Sequence, residues 1–291
     1  MAGLVRRVQT CHNTVMPDTE LLDHTAAEPT SSLERMLRIL DVIEDTNAAV
    51  PAEDLAARLG FTRSTTYRYL KILAEAGLVS SLPDLGYTLG PRIAELDWRM
   101  RTADPLIQAG RPVMAELARG EAGVVLLCRR YRDLVLCVHQ ERGSDLVHSF
   151  YERGRARPPV RGAASRVILA WLPPPQLARL HARHTADFAA AGLGDTLAAA
   201  RTRLRAIRLA GWDATEGQVT PGVTGIAAPI LDGSGGVLGS LNLTVPRIAL
   251  SARERARIAD RVVLCAGIIA RAAHGPGATP GGGDAGQNNP K

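Results

Sequence analysis

Apolar residues recur along the chain at two periods, and the changes of period mark its elements. Leu33, Met36, Leu37, Leu40 and Ile43 step by three and four, the spacing of one helical face. Ser31 or Ser32 supplies the N-cap. Residues 47–50 interrupt the pattern. Pro51 suits the first position of a second helix, and Glu53 and Asp54 favour its positive end. Leu55, Ala56 and Leu59 form a short stripe there, and Gly60 closes it in a tight turn. Thr62 caps a third helix, in which Thr66, Tyr69, Leu70 and Leu73 fall at i, i+3, i+4 and i+7. Gly77 ends it. "LVSSLPDLGYTLG" (78–90) then reads as strand, turn at Pro83-Asp84, strand. Three helices and a hairpin make a winged helix-turn-helix over 31–90, its second and third helices joined through Gly60-Phe61.

The helical period returns at Ile93, Leu96 and Met100 and predicts a linker helix over 91–103. Pro105 starts another helix that ends near Gly120. "AGVVLLCRRYRDLVLCVHQERG" gives two strands around a turn at 131–133, and "LVHSFYERG" (146–154) gives a third. "PVRGAASRVILAWLPPPQLARLHARH" reads as a loop and a helix. Leu197, Leu204, Ile207 and the alanines between them form the inner face of the next helix. "GVTGIAAPILDGSGGVLGSLNLTVP" is a strand hairpin turning at 233–236, and "ERARIADRVVLCAGIIARAA" is a final helix. Residues 104–274 therefore form an α+β domain on an antiparallel sheet, a ligand-sensor plan. Residues 1–30 keep no period and read as a flexible arm. Residues 275–291, rich in Gly, Pro and Asn, read as a disordered tail.

Composition changes little in this picture. Aromatics are 4% of the chain, so the cores are aliphatic. No apolar run is long enough to span a membrane, and the N-terminus lacks a basic-then-apolar signal pattern, so the expected location is the cytoplasm. The four cysteines (Cys11, Cys128, Cys137, Cys265) form no CxxC pair and read as reduced packing thiols. The net charge of +6 points to nucleic acid only until the chain is divided. Residues 1–103 hold 11 Lys+Arg against 14 Asp+Glu, a net of −3, whereas residues 104–291 hold 24 against 15, a net of +9. Placement decides, not the total.

Placement is informative at "FTRSTTYRYLKILAEAGLVSS" (61–81), where Glu75 is the only carboxylate. With Thr66, Tyr69, Leu70 and Leu73 turned inward, Arg63, Ser64, Thr65, Tyr67, Arg68 and Lys71 form the outer face. A recognition helix enters the major groove by its N-terminal end, where hydroxyls and N–H groups meet phosphates. Arg68 can fork onto guanine O6 and N7, and Lys71 can meet a phosphate. The plain alternative is a structural three-helix bundle with a polar face.

These residues resemble the IclR-type bacterial transcriptional regulators from Ser32 to Ala273. "SSLERMLRILDVIED" is similar to the family's opening helix, "LAARLGFTRSTTYRYLKILAEAGLV" to its helix-turn-helix, and "GYTLGPRIAEL" to its wing exit and linker. "RGAASRVILAWLP" is similar to a loop-helix segment that usually carries Gly-Lys where this chain has Ser165-Arg166. "GWDATEGQVTPGVTGIAAPILDGSGGVLGSLNL" is similar to its final hairpin. The resemblance implies a GAF-like effector domain, a dimer or dimer of dimers, a double-stranded DNA operator, and a small acid or aromatic acid as effector. Gly162, Ala163, Ala164 and Ser165 offer small side chains and a helix N-terminus, which suit a carboxylate. Placement similar to the family's suggests Ile226 and Ala227 as a pocket wall and Ser240 and Asn242 as polar contacts, with Arg161 adding charge. The competing explanation is that small residues here only permit close packing.

Other patterns lead to no chemistry. His181 and His184 have a metal-like spacing, but no second Cys or His pair supports them. "DGSGG" (232–236) lacks GxSxG and a P-loop lysine and reads as a turn. Cys128 and Cys137 could face each other as a redox pair, although buried thiols account for them as well. Asp213 and Glu216 have no partner that would make them an acid and base. The expectation is a ligand-responsive DNA-binding regulator without catalytic residues, metal or cofactor. The alternatives are an enzyme carrying a protein-binding winged helix, or a thiol redox-sensing regulator.

Overall fold

The computed structural model describes residues 31–46, 48–121, 123–143, 153–246 and 250–274. The expected arm at 1–30, the tail at 275–291 and all but the last two residues of the strand expected at 146–154 lie outside them. The chain divides into two compact units between Leu96 and Asp97. That division falls inside the expected linker helix, which forms as α4 (Arg92–Ala103).

In the first unit, α1 (Ser32–Glu44) begins with a capping box. Ser31 accepts from the Glu34 N–H, and Glu34 accepts from the Ser31 N–H. The helix forms where expected, but its phase differs. Ile39 and Ile43 are its buried residues, while Leu33 and Leu37 are 67% and 51% exposed. Helix α2 (Ala52–Leu59) has Pro51 as its N-cap, not as its first turn. Gly60 follows in the left-handed conformation and lets the Phe61 N–H close on the Ala56 carbonyl. Thr62 caps α3 (Arg63–Glu75), whose Thr66, Tyr69, Leu70 and Leu73 are buried as the spacing predicts. The wing is β1 (Val79–Leu82) paired with β2 (Gly86–Leu89). A bridge from Val50 to Tyr87 joins a third segment to this hairpin. Gly86 sits at φ +111, where a Cβ would lie 2.4 Å from the Val50 oxygen, so only glycine allows that approach.

The second unit is built on an antiparallel sheet of order β5-β4-β3-β8-β7-β6. Its strands are β3 (Val124–Tyr131), β4 (Leu134–Arg142), β5 (Ala156–Arg157), β6 (Asp213–Glu216), β7 (Thr224–Leu231) and β8 (Val237–Val245). Alternation assigns the two faces. Val125, Leu127, Ile226, Ala228, Leu241 and Leu243 pack with α5 (Pro105–Glu121) and α10 (Ala252–Ala273). Val124, Leu126 and Cys128 point the other way, against Ala164 and Ile168 of α6 (Ala163–Ala170). Beyond α6 lie α7 (Pro174–Arg183), α8 (Thr185–Ala190) and α9 (Leu197–Ala210), joined around the fully buried Phe188.

Two expectations need correction. The single helix expected after Arg161 is two, α6 and α7, because Pro173-Pro174 removes the amide donors that a continuous helix needs. Strand β6 (Asp213–Glu216) falls in a stretch where no strand was expected. Its sequence, DATE, has too little apolar alternation to announce a strand, and pairing with β7 makes it one.

Candidate functional site

Two sites take shape, one in each unit. On α3, Ser64, Tyr67, Arg68 and Lys71 are exposed and Thr65 is half-buried. The Thr62 hydroxyl accepts the Thr65 N–H at 3.2 Å and donates to the Thr65 hydroxyl, so this one amide of the first turn is capped within the protein. Arg68 rests over the Tyr69 ring at 5.2 Å, and Lys71 reaches Glu75 only at 3.9 Å. The sequence offered no carboxylate beside this face, but the fold does. Glu53 of α2 lies 3.3 Å from Arg63 and accepts from the Tyr67 hydroxyl, also at 3.3 Å. Separation by ten and fourteen positions hid that contact from any helical spacing.

The second site is a cavity on the α6 face of the sheet. Arg161, Gly162, Ala163, Ala164 and Asn242 line it, joined by Leu126, Thr215, Gly225, Thr244 and much of the 217–223 loop. No Asp or Glu is among the lining residues, and Arg161 is their one charged group. Its volume is about 30 Å³, room for a water or two. The amides that open α6 are partly engaged. The Gly162 N–H donates to Gln218 Oε1 at 3.1 Å, and the Ala163 N–H donates to Thr215 Oγ1 at 3.1 Å. Ala164 and Ser165, the next residues, have no amide partner among the described residues. Gly162 takes φ +84, and a Cβ there would meet Val219 at 2.8 Å, so the 217–223 loop sits directly on the helix start. Gly217 (φ +64) and Gly222 (φ +78) bound that loop in conformations other residues rarely adopt.

The remaining expected pocket residues separate. Ser165 is buried and donates to the Pro158 carbonyl at 3.4 Å. Ser240 donates to the Ala164 carbonyl at 2.9 Å and so ties α6 to β8. Neither lines the cavity. Ile226 and Ala227 cannot form one wall, because neighbours on a strand face opposite ways. Ile226 packs on the α5 and α10 side, and Ala227 packs among residues of α6 and α9. Thr215 and Gln218 were absent from the expected set. They carry no charge and no period, and only the β6–β7 pairing and the loop bring them to α6.

A buried ion pair braces the same region. Arg166 of α6 and Asp213 of β6 meet at 2.9 Å, with exposures of only 15% and 13%, although the contact is out of line for a hydrogen bond. Burial pushes the Asp213 carboxyl above its ordinary range, and Arg166 pulls it partly back. Asp213 thus does have a partner, but a structural one. Cys128 and Cys137 stand opposite each other in the β3–β4 register, both fully buried. His181 packs against Phe188, not toward a metal, and no metal-holding cluster occurs among the described residues. No helix among them is long and apolar enough to cross a membrane.

Comparison with known proteins identifies the family of both units. The family described as "Bacterial transcriptional regulator IclR C-terminal" matches residues 101–271, and the "IclR helix-turn-helix domain" matches residues 32–83. The probable HTH-type transcriptional regulator ArcR of Halobacterium salinarum is 23% identical over 81% of this chain and 91% of its own. The HTH-type transcriptional regulator BhcR of Paracoccus denitrificans is 25% identical over 80% and 83%. An IclR homologue from Microbacterium hydrocarbonoxydans, solved with 4-hydroxybenzoate, has a TM-score of 0.68 at 21% identity and covers 84% of this chain and 99% of its own. An IclR regulator from Alicyclobacillus acidocaldarius scores 0.69 at 20% identity, over 83% and 98%. At these identities the likeness to the solved structures is one of fold.

Proposed function

The chain belongs to the IclR family of bacterial DNA-binding transcriptional regulators, and on that premise we propose that a small carboxylic acid, bound at the start of α6, alters its affinity for an operator. The observation that carries this reading is the Gly162 cavity. It combines apolar walls, helix amides and one arginine, and no carboxylate opposes an anion. The 4-hydroxybenzoate held by the Microbacterium homologue supports an aromatic acid as the class. At about 30 Å³ the cavity is too small for such a ligand, so binding requires the 217–223 loop to move between its bounding glycines.

At the other end, Arg63, Ser64, Thr65, Tyr67, Arg68 and Lys71 of α3 meet the duplex, with Arg68 reading a base and Lys71 a phosphate. Exposed Leu33 and Leu37 on α1, and Leu96, Trp98 and Met100 on α4, support self-association as a dimer or a dimer of dimers. Ligand then shifts the balance between two arrangements of the paired DNA-binding units. The family assignment supports a regulator over an enzyme and a cytoplasmic location.

The test is operator binding with and without an acid that stabilises the protein, in wild type and Asn242→Leu. Asn242 lines the cavity and keeps its own hydrogen bond to Thr244. The variant should bind DNA as wild type does and lose the response to the acid. An undiminished response would move the effector site elsewhere.

A further inference from the structure

The cationic surplus of residues 104–291 has no part in the operator contact of α3, and it is not evenly spread. Arg130 and Arg132, at and beside the β3–β4 turn, and Arg179 and Arg183 from α7, line one groove of about 830 Å³. It shares no lining residue with the Gly162 cavity. Asp133 is the one carboxylate of its lining, so four positive charges face one negative charge, a net of +3. Asp232, beside the rim, turns its carboxylate onto Ser234 and the Gly236 N–H.

The guanidiniums are partly fixed in advance. Arg130 is only 21% exposed; its Nη1 donates to Gln176 at 2.8 Å, and its Nη2 lies 3.5 Å from Asp133. Its Nε is buried with no hydrogen-bond partner among the described residues. Asp133 also holds Arg183. Trp171 lines the same groove, with the Arg208 guanidinium 5.6 Å from its ring centre. A concave wall of one sign concentrates anions at its surface. Arginine forks match phosphate oxygens in pairs, and a ring beside them suits an apolar or aromatic body. A single carboxylate would leave most of this charge unmatched. The concavity suits a small molecule better than the convex backbone of a duplex.

We propose that this groove binds a small molecule bearing a di- or triphosphate, held by the four arginines and packed along Trp171. It is a second ligand site, distinct from the effector cavity at Gly162.

The test uses the full chain in about 150 mM salt, where long-range attraction is largely screened. Inorganic pyrophosphate and ATP are titrated by calorimetry and by tryptophan fluorescence. Both should bind saturably and at least tenfold more tightly than orthophosphate. Arg132→Ala/Arg179→Ala should weaken binding at least tenfold. Arg253→Ala/Arg271→Ala, which removes the same charge from α10, should change it less than twofold. Trp171→Phe should remove the fluorescence change, although Trp98 and Trp212 remain. Absence of saturable binding would overturn the proposal, as would equal losses in the two double variants or a fluorescence change that survives Trp171→Phe.

Discussion

Gln218 turns its side-chain oxygen back to within 3.1 Å of the Gly162 N–H. The protein's own carboxamide thereby holds the amide to which the proposed ligand carboxylate would bind at the start of α6. The hydrogen bond adds about 1 kcal/mol net in water-exchanged terms, and a ligand anion must displace it.

Gln218→Ala should therefore tighten binding of a carboxylic acid about fivefold, the equivalent of that hydrogen bond. Calorimetry with the acid that most raises the wild-type melting temperature measures this. Weaker binding by the variant would make Gln218 a ligand contact instead of a competitor.

The contact of Glu53 with Arg63 and Tyr67 sets a second expectation. If α3 enters the groove as proposed, this carboxylate lies at its entering end, near the phosphates. Glu53→Gln should raise affinity for any duplex by two- to fivefold, in line with the small worth of an exposed ion pair, and should steepen the salt dependence. An unchanged salt slope would place Glu53 outside the contact.

The Arg166–Asp213 pair predicts a pH effect. The folded-state pKa of Asp213 is raised above the ordinary value of 3.8, so the unfolded chain ionises more readily than the folded one. The group's stabilising contribution is full below the unfolded value and is lost as pH rises through the folded value. Arg166→Met removes the facing cation and leaves the carboxylate buried. Urea denaturation at pH 7 should show a loss of about 3 kcal/mol, the cost of breaking a buried pair, and a smaller loss at pH 5. A loss independent of pH would show that Asp213 is not the group responsible.

The sequence disclosed the first unit more fully than the second. Caps and breakers are local signals, so Ser31, Gly60 and Thr62 marked the ends of α1, α2 and α3 nearly to the residue. The buried face of α3 followed from spacing alone. The phase of α1 did not, because Leu33 and Leu37 are as apolar as Ile39 yet remain exposed. In the second unit, the sheet hairpins were legible from strand runs and turns, and β6 was not. The cavity depends on non-local placement. Gly162, Ala163, Ala164 and Asn242 came from small residues and family resemblance. Thr215 and Gln218 reach α6 from 52 and 56 residues away and carried no signal. Ile226 was misplaced because a strand residue's face depends on register, which the resemblance did not specify.

Fluorescence anisotropy tests the central claim most directly, with labelled DNA from upstream of the protein's own gene and wild type set against Arg68→Ala over a range of salt. Wild type should bind tightly and lose affinity steeply with salt. Arg68→Ala should lose at least tenfold on that DNA and little on random duplex, as expected when a base contact of 1–3 kcal/mol is removed. Equal binding by both proteins to that DNA, wherever wild type binds it specifically, would contradict the assignment of α3 as the helix that reads the operator.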